Sequence, residues 1–180
     1  MLEKDIKKVL VTEEQIKQRC DEIGRELAER FRDNDRKVIL VGILKGSVPF
    51  MAELIKHIDL PIEVDFMCVS SYQGTKSLGD IKIIKDLDRS VEGQDIVLVE
   101  DIVDTGITIK ELKRMMVNKA ARSVTVVTML DKPSRREVDV KADYIGFEVE
   151  NEFVVGYGLD YDQVYRNLPY VGVLKDELYK

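Results

Sequence analysis

The 180-residue sequence lacks several features that would assign it to a specialised class of protein. It has one histidine, His57, which we interpret as a surface or packing residue, so H-E-x-x-H chemistry and most zinc sites are excluded. Its two cysteines, Cys20 and Cys68, give neither a disulfide framework nor a metal-binding spacing and are interpreted as structural thiols. The longest apolar stretch, 38–44, is too short to span a bilayer, and the first residues lack the apolar core of a signal peptide. These absences favour a cytoplasmic protein without a membrane partner.

The composition is that of a soluble globular protein, with 44% hydrophobic and 34% charged residues. Residues 1–180 are predicted to form one domain, because the length suits a single core and no repeat, low-complexity segment or linker is present. Twenty-eight basic and 34 acidic residues give a net charge of −6, which argues against nucleic acid as a partner. An anionic ligand would therefore depend on local donors or a metal ion.

Helix and strand patterns alternate along the chain. Thr12 and Gln15 have the spacing of a capping box and predict a helix that ends near Arg32. Further elements are predicted as strand 37–44, helix 48–57, strand 62–69, strand 81–85, strand 122–130, strand 143–147 and strand 170–174. The repeated strand–helix–strand units predict an α/β fold with a central parallel sheet flanked by helices.

One segment combines a buried strand, an acidic pair, a small polar turn and a helix. The apolar run 96–99 predicts a strand buried on both faces, and Glu100 and Asp101 follow it directly. The polar turn 104–108 comes next, and helical spacing begins at Ile109. Ligands of parallel α/β sheets bind where strands end and helices begin, so this segment is the first candidate for a site.

The turn and the helix start are suited to an anion. Free backbone N–H groups at a helix start, aided by the helix dipole, attract a phosphate. Thr105 and Thr108 add hydroxyl donors, and Gly106 allows the backbone to approach a ligand closely. A phosphate therefore fits this turn.

Three carboxylates beside a phosphate would repel it unless each has another role. Glu100 and Asp101 could hold sugar hydroxyls or Mg²⁺, and Asp104 could act as a base. The alternative is that Asp104 or Thr105 only caps the helix while the acids are solvated. That alternative would be favoured for a lone aspartate, but two further acids directly after a buried strand indicate a ligand with both phosphate and ribose.

The segment 97–109 resembles the phosphoribosyl diphosphate signature of the purine phosphoribosyltransferases, and four motif regions between Lys45 and Arg166 follow the order of that family. The chain is most similar to the bacterial-type hypoxanthine-guanine phosphoribosyltransferases. The resemblance implies a type I phosphoribosyltransferase fold, with a core of roughly 12–130 and a small hood from the N-terminal residues and 131–180. It implies purine salvage: 5-phosphoribosyl passes from phosphoribosyl diphosphate to N9 of hypoxanthine or guanine, giving IMP or GMP and pyrophosphate. Mg²⁺ would be the cofactor, and relatives form dimers or tetramers.

The resemblance also implies roles around the polar turn. Glu100 and Asp101 would hold the ribose hydroxyls and, with Asp160, associate with Mg²⁺. Asp104 would be the general base near N7 of the purine. The 5′-phosphate would be bound by Asp104, Thr105, Gly106, Ile107 and Thr108. Some relatives carry lysine at the position of Ile107, so backbone N–H groups must replace that contact here.

A second turn, K-G-S, matches the pyrophosphate loop of the family. Alone, such a turn is more often only a turn, and it is not a Walker A loop because that motif occurs nowhere in the sequence. By resemblance, Lys45 and Gly46 would bind pyrophosphate, and relatives hold a non-proline cis peptide at this loop. Arg166 would pair with pyrophosphate oxygens, a task that suits its two-pronged guanidinium.

The resemblance further implies a purine site formed by Ile102, Lys132, Phe153, Val154 and Asp160. The Lys132 ammonium can only donate, so it suits a 6-oxo acceptor and opposes the 6-amino group of adenine. Phe153, by default a core aromatic, would stack on the base, and Val154 would supply backbone hydrogen bonds.

The polar segment 70–80 is open to two interpretations. It could be an ordinary hairpin connection, or a lid that excludes water from an oxocarbenium-like centre. In the family, Ser71 and Tyr72 begin such a lid. Length and composition alone do not decide between the two.

Two other functions share parts of this pattern. A nucleotide-sensing regulator with the same fold that binds RNA would carry the same strand, acids, turn and helix; Lys132 together with Phe153 favours the enzyme. A receiver-like phosphoacceptor domain also places acids at strand ends, but the first residues of this chain contain no such pair.

Overall fold

The computed structural model describes residues 2–33, 35–71 and 81–180, and the side chain of Ser71 is not part of that description. Its strands are β1 (Ile6–Val11), β2 (Val38–Leu44), β3 (Ile62–Ser71), β4 (Ile81–Lys85), β5 (Asp95–Val103), β6 (Ser123–Asp131), β7 (Tyr144–Glu148), β8 (Val154–Val155) and β9 (Val171–Leu174). Its α-helices are α1 (Glu13–Phe31), α2 (Val48–Leu54) and α3 (Ile107–Asn118), and short 3-10 turns include Ile55–His57 and Asp176–Leu178. Within these ranges no helix is both long and apolar enough to cross a membrane.

The strands form two sheets. The larger has the order β4-β3-β2-β5-β6-β7, and all its neighbours pair in parallel except β4, which runs antiparallel to β3. The smaller has the order β1-β9-β8 and is antiparallel. The predicted α/β class with a central, mostly parallel sheet is confirmed. The smaller sheet joins the beginning of the chain to its last third, beside the loops that follow β5 and β6.

Alternation along the central strands places helices on both faces of the large sheet. In β5, Val97 and Val99 pack with the apolar faces of α1 and α2, whereas Ile96 and Leu98 pack with that of α3. The predicted capping box at the start of α1 is confirmed, with Thr12 and Gln15 bonding each other's backbone. Burial of both faces explains why these strands are continuous apolar runs.

Some predicted boundaries were wrong. The strand predicted to end at Val99 continues to Val103, because Glu100, Ile102 and Val103 stay in register with β6 and the acids therefore lie within the strand. Helix α3 begins at Ile107, two residues before the apolar spacing starts, and α2 ends at Leu54 before a 3-10 turn. The end of β5 is set by backbone pairing with β6 and not by side-chain polarity.

Candidate active site

The candidate residues lie where β2, β5 and β6 end. These strands are parallel neighbours, so the loops that follow them leave the sheet at the same edge. The loop after β2 carries Lys45 and Gly46, and the loop after β5 carries the turn 104–106. The loop after β6 carries Lys132 and two arginines. Parallel register therefore brings three distant parts of the sequence together.

Two glycines allow the loop after β2 to pack against the acidic pair. A Cβ atom at Gly46 would overlap the Asp101 carboxylate, and a Cβ atom at Gly158 would overlap the Gly46 carbonyl oxygen. Gly158 also has a φ of +99°, which disfavours any other residue. The peptide bond between Leu44 and Lys45 is cis. Gly46 thus touches both Asp101 and the segment that carries Asp160.

Glu100 and Asp101 are carboxyl groups held largely away from water. Glu100 is 6% exposed; burial, and next the charge of Asp101, raise its pKa well above the ordinary value. Burial also raises the pKa of Asp101 to about 6, with Arg166 acting in the opposite direction and Asp160 in the same direction. Among the described residues, no lysine or arginine forms an ion pair with either side chain. Neither carboxyl is therefore in a salt bridge with a described residue, although the Arg166 charge reaches Asp101.

The unpaired acids fit a metal ion that arrives with a ligand. Within the described ranges, no group of three or more histidine, cysteine, aspartate or glutamate side chains could hold a metal by itself. Mg²⁺ is usually bound through one or two carboxylates together with substrate phosphates and water. A buried acid pair with raised pKa values and an anion turn beside it has the donor chemistry for such a shared site.

The buried acids predict an unusual pH dependence of stability. The folded-state pKa of Asp101 lies near 6 and its ordinary value is 3.8, so the folded protein binds the proton more tightly than the unfolded chain does. Protonated Asp101 therefore stabilises the folded state at pH values below its unfolded-state pKa. This stabilisation, about 3 kcal/mol, is lost as pH rises through the folded-state pKa.

We expect Asp101→Asn, which stays neutral, to gain stability relative to the parent chain as pH rises from about 4.5 to about 7. The check is urea unfolding of both proteins across that range, without metal. A free-energy difference that does not change with pH would contradict the prediction.

The turn after β5 has the geometry of an anion site. Gly106 is the residue before α3 and has a φ of +85°, a left-handed conformation that glycine adopts without strain. The Thr105 hydroxyl accepts a hydrogen bond of 3.4 Å from the Ile107 N–H, which leaves its own proton free to donate. The N–H groups of the first turn of α3 have no partner within the helix. The sequence-based assignment of this turn to an anion is therefore consistent with its backbone.

Arg136 holds this turn from behind. Its guanidinium donates to the carbonyl oxygens of Val103, at 3.1 Å, and of Asp104, and it also pairs with the Asp131 carboxylate. The side chains of Arg136 and Asp131 are 16% and 7% exposed. The Glu137 N–H adds a 3.0 Å hydrogen bond to the Thr105 carbonyl oxygen. Arg136 was not among the predicted site residues, although two consecutive arginines after a strand end were a visible signal.

Asp104 lies between two basic side chains. Arg135 Nε is 2.8 Å from Asp104 Oδ1. Lys132 is buried and donates a 2.7 Å hydrogen bond to the Glu152 carbonyl oxygen. Burial lowers the pKa of Lys132, and the nearby charge of Asp104 opposes that shift. Asp104 and Lys132, assigned to the base and to the 6-oxo contact, therefore lie close enough to interact.

Phe153 is a half-exposed aromatic at the edge of the small sheet. The residue is 36% exposed, and its ring meets Tyr161 in a T-shaped contact at 5.5 Å between centroids and stacks on Tyr179 at 4.6 Å. Its carbonyl oxygen accepts a 2.9 Å hydrogen bond from the Leu174 N–H. Hydrogen-bonded and non-hydrogen-bonded pairs alternate in antiparallel ladders. Because Phe153 bonds to Leu174, the next pair, Val154 with Val173, is non-hydrogen-bonded. The N–H and C=O of Val154 therefore point away from β9, toward the open edge of the small sheet.

Basic residues gather beside Asp160. Arg166 pairs with Asp160 at 2.7 Å and donates a 2.7 Å hydrogen bond to the Gly158 carbonyl oxygen. The Gln163 side-chain oxygen accepts from Lys45 Nζ at 3.1 Å and from Arg166 at 3.3 Å. The side chains of Lys45 and Arg166, which are far apart in the sequence, thus lie side by side next to Gly46. Gln163 was not among the predicted residues, and nothing in the sequence pattern marks it.

The predicted site residues that the structure describes lie at the end of β5, on the loops after β2, β5 and β6, on the first turn of α3 and on the segment from Phe153 to Arg166. Of the predicted lid residues, Ser71 is the last residue of β3, and Tyr72 lies outside the described residues. Ile102 is partly buried against the core, and its N–H donates to Asp101 Oδ1 at 2.8 Å.

Comparisons with known proteins all point to one family. Residues 12–162 match the family model described as phosphoribosyl transferase domain. The chain is 54% identical over 181 residues to hypoxanthine-guanine phosphoribosyltransferase of Bacillus subtilis, covering 100% of this chain and 99% of that protein. It is 55% identical over 180 residues to the protein of the same name in Streptococcus agalactiae, covering 99% of each. A crystal structure of a hypoxanthine phosphoribosyltransferase from Staphylococcus aureus has a TM-score of 0.95 and 48% identity, covering 99% of this chain and 97% of that one. None of these three relatives is named as a regulator or a receiver domain.

Proposed function

Because the chain belongs to the phosphoribosyl transferase family, we propose that it is a purine-salvage enzyme that transfers 5-phosphoribosyl from phosphoribosyl diphosphate to N9 of hypoxanthine or guanine. The products are IMP or GMP and pyrophosphate. The observation that carries this proposal is the acid pair of buried Glu100 and partly buried Asp101, which lies between the turn before α3 and two cations. A ligand with a phosphate at one end, a ribose in the middle and a diphosphate at the other end matches that order of charges.

The two ends of phosphoribosyl diphosphate are assigned to the two loops. Thr105, Gly106, Ile107 and Thr108 bind the 5′-phosphate through N–H and hydroxyl donors at the start of α3. The diphosphate binds at the cations beside Gly46, which are Lys45 and Arg166. Arg166 releases Asp160 in this arrangement, and its guanidinium then donates to two oxygens of the leaving group.

Glu100 and Asp101 hold the ribose between these two loops. Their oxygens accept hydrogen bonds from the 2′- and 3′-hydroxyls, which replaces the solvation that burial removes. Together with Asp160 they are also the residues that would associate with Mg²⁺. When Mg²⁺ is bound, it would neutralise the charge of the diphosphate.

The reaction exchanges one bond at C1′ of the ribose. The bond from C1′ to the diphosphate oxygen breaks as the bond from C1′ to purine N9 forms, and the base loses a proton. Asp104 accepts that proton near N7; Arg135 Nε lies 2.8 Å from its Oδ1, and the charge of Lys132 is nearby. The lid from Ser71 and Tyr72 would keep water from the reacting carbon.

Base selection is assigned to the rim formed by β6 and β8. Lys132 donates to the 6-oxo group, Phe153 stacks on the ring, and the outward N–H and C=O of Val154 meet the purine edge. Ile102 packs beside the base. An ammonium opposite a 6-amino group would leave two donors facing each other, so adenine is rejected.

We also propose a single domain over residues 1–180, with the small sheet as a hood beside the large one. An association of two or four copies is supported by exposed apolar side chains at the outer strands of the large sheet, namely Val64, Ile83 and Ile84. Two free thiols, Cys20 and Cys68, support a reducing, cytoplasmic location.

The experiment that tests the function is nucleotide formation from phosphoribosyl diphosphate and Mg²⁺ with five bases in parallel: hypoxanthine, guanine, xanthine, adenine and uracil. We expect turnover of hypoxanthine and guanine, no turnover of adenine or uracil, and loss of turnover on chelation of the metal. Turnover of uracil alone, or of none of the bases, would contradict the proposal and call for an RNA-binding assay.

Lys132→Ala is expected to raise the KM for hypoxanthine and guanine about 10- to 100-fold, because a hydrogen bond to a charged donor is lost. The KM for phosphoribosyl diphosphate should change little. Steady-state kinetics with each substrate varied in turn is the measurement, and Lys17→Ala on the exposed face of α1 is the control. Wild-type purine kinetics in the Lys132 variant would remove it from the base site.

A further inference from the structure

The ring of Phe153 is covered on one face by an aromatic residue that no part of the proposed mechanism uses. Tyr179 stacks on it with centroids 4.6 Å apart and an angle of 22° between the planes. Tyr161 meets the same ring edge-on, at 88°. A ring has two faces and Tyr179 covers one of them, so a base that stacks on Phe153 must use the other.

Tyr179 is held in this position by several contacts. Its hydroxyl donates to Asp176 Oδ1 at 2.9 Å, and Lys180 pairs with the other oxygen of the same carboxylate. The Lys175 N–H donates to the Asp5 carbonyl oxygen at 3.0 Å, which fastens the segment to the beginning of the chain. The segment that follows β9 therefore holds Tyr179 against Phe153.

The residue before Phe153 contacts the group assigned to the purine oxygen. Lys132 Nζ donates to the carbonyl oxygen of Glu152, the residue directly before Phe153. A base held by Lys132 and by the open edge at Val154 is thereby brought next to the Phe153 ring. A half-exposed ring without support would sample several orientations, whereas a ring stacked from behind presents one surface.

We propose that Tyr179 is a positioning residue for the acceptor base: it stacks behind Phe153 and fixes the ring against which the purine packs. This inference rests on the proposed function. Tyr179 acts through Phe153 and does not touch the base or the reacting atoms. Its effect therefore belongs to purine binding and not to the chemical step.

The test compares Tyr179→Leu, which removes the ring but keeps an apolar side chain, with Tyr179→Phe, which keeps the ring and loses the hydroxyl. An aromatic pair predicts an increase of about 2- to 10-fold in the KM for hypoxanthine and guanine in the leucine variant. We expect kcat and the KM for phosphoribosyl diphosphate to stay unchanged, and the phenylalanine variant to restore purine binding. Glu177→Gln is the matched control, because Glu177 is an exposed residue of the same segment.

Three outcomes would overturn the inference. An unchanged purine KM in Tyr179→Leu would show that the stack has no role, and a lower KM would show that Tyr179 occupies the face that the base needs. Equal effects of the leucine and phenylalanine variants would assign the effect to the hydroxyl and its bond to Asp176.

Calorimetric titration with GMP measures nucleotide binding by the parent chain, Tyr179→Leu and Tyr179→Phe in the absence of turnover. The affinity is expected to fall in Tyr179→Leu by the same factor and to be retained in Tyr179→Phe. A parent chain that binds GMP but forms no nucleotide would count against the reaction, while the two variants would still test the role of Tyr179. A GMP affinity equal in all three proteins would overturn the positioning role, and so would a parent chain that binds neither base nor GMP.

Discussion

Asp104→Asn is expected to lower kcat by about 10²- to 10⁴-fold, the usual contribution of a positioned general base. Asparagine has nearly the same shape as aspartate but cannot accept the purine proton. The contact between Asp104 and Arg135 does not hold the turn, because the turn is fixed through carbonyl oxygens and Arg136. The KM for phosphoribosyl diphosphate should therefore change by much less than kcat.

The measurement is steady-state turnover of hypoxanthine, with Asp139→Asn as the control. Asp139 is an exposed aspartate on the segment that packs behind the turn, and its replacement removes the same charge without touching the site. If Asp104→Asn turned over at the parent rate, the proton would have another acceptor and Asp104 would only contribute to the shape of the turn.

Arg136→Ala is expected to destabilise the protein and to abolish turnover. The change leaves the buried Asp131 carboxylate unpaired and removes the donor from the carbonyl oxygens of Val103 and Asp104. Loss of one partner of a buried pair costs about 3 to 5 kcal/mol, which for a protein of this size lowers Tm by about 10 °C. The turn proposed to bind the 5′-phosphate would lose its support at the same time.

Thermal unfolding and turnover are measured together for Arg136→Ala, Arg136→Lys and Arg114→Ala. The lysine variant keeps the charge but not the forked geometry, so it should lie between the alanine variant and the parent chain. Arg114 is an exposed arginine that pairs with Glu111 on α3, and its loss should have little effect on either quantity. An Arg136→Ala protein with parent Tm and parent turnover would contradict the bracing role.

The α/β class followed from short-range regularities in the sequence. Buried strands, amphipathic helices and a capping box depend on residues a few positions apart, so the pattern alone predicts them. The same is true of the anion turn, in which glycine, hydroxyl groups and the helix start are consecutive at 105–108. The strand end was misplaced at Val99, because the ladder between β5 and β6 continues past two charged residues that a polarity pattern interprets as a boundary.

Patterns along the chain predicted the class of fold, the anion turn and the acidic pair, and the family resemblance supplied the remaining candidates. How these residues meet depends on tertiary packing. Lys45 and Gln163 are 118 positions apart and share a hydrogen bond, and Gly158 lacks a side chain because the Gly46 carbonyl oxygen fills that space. Arg136 contacts backbone carbonyl oxygens, and Tyr179 contacts the ring face of Phe153. Neither contact corresponds to a pattern along the chain. Local periodicity records which face of an element is buried, whereas contacts between distant loops depend on the packing of the whole sheet.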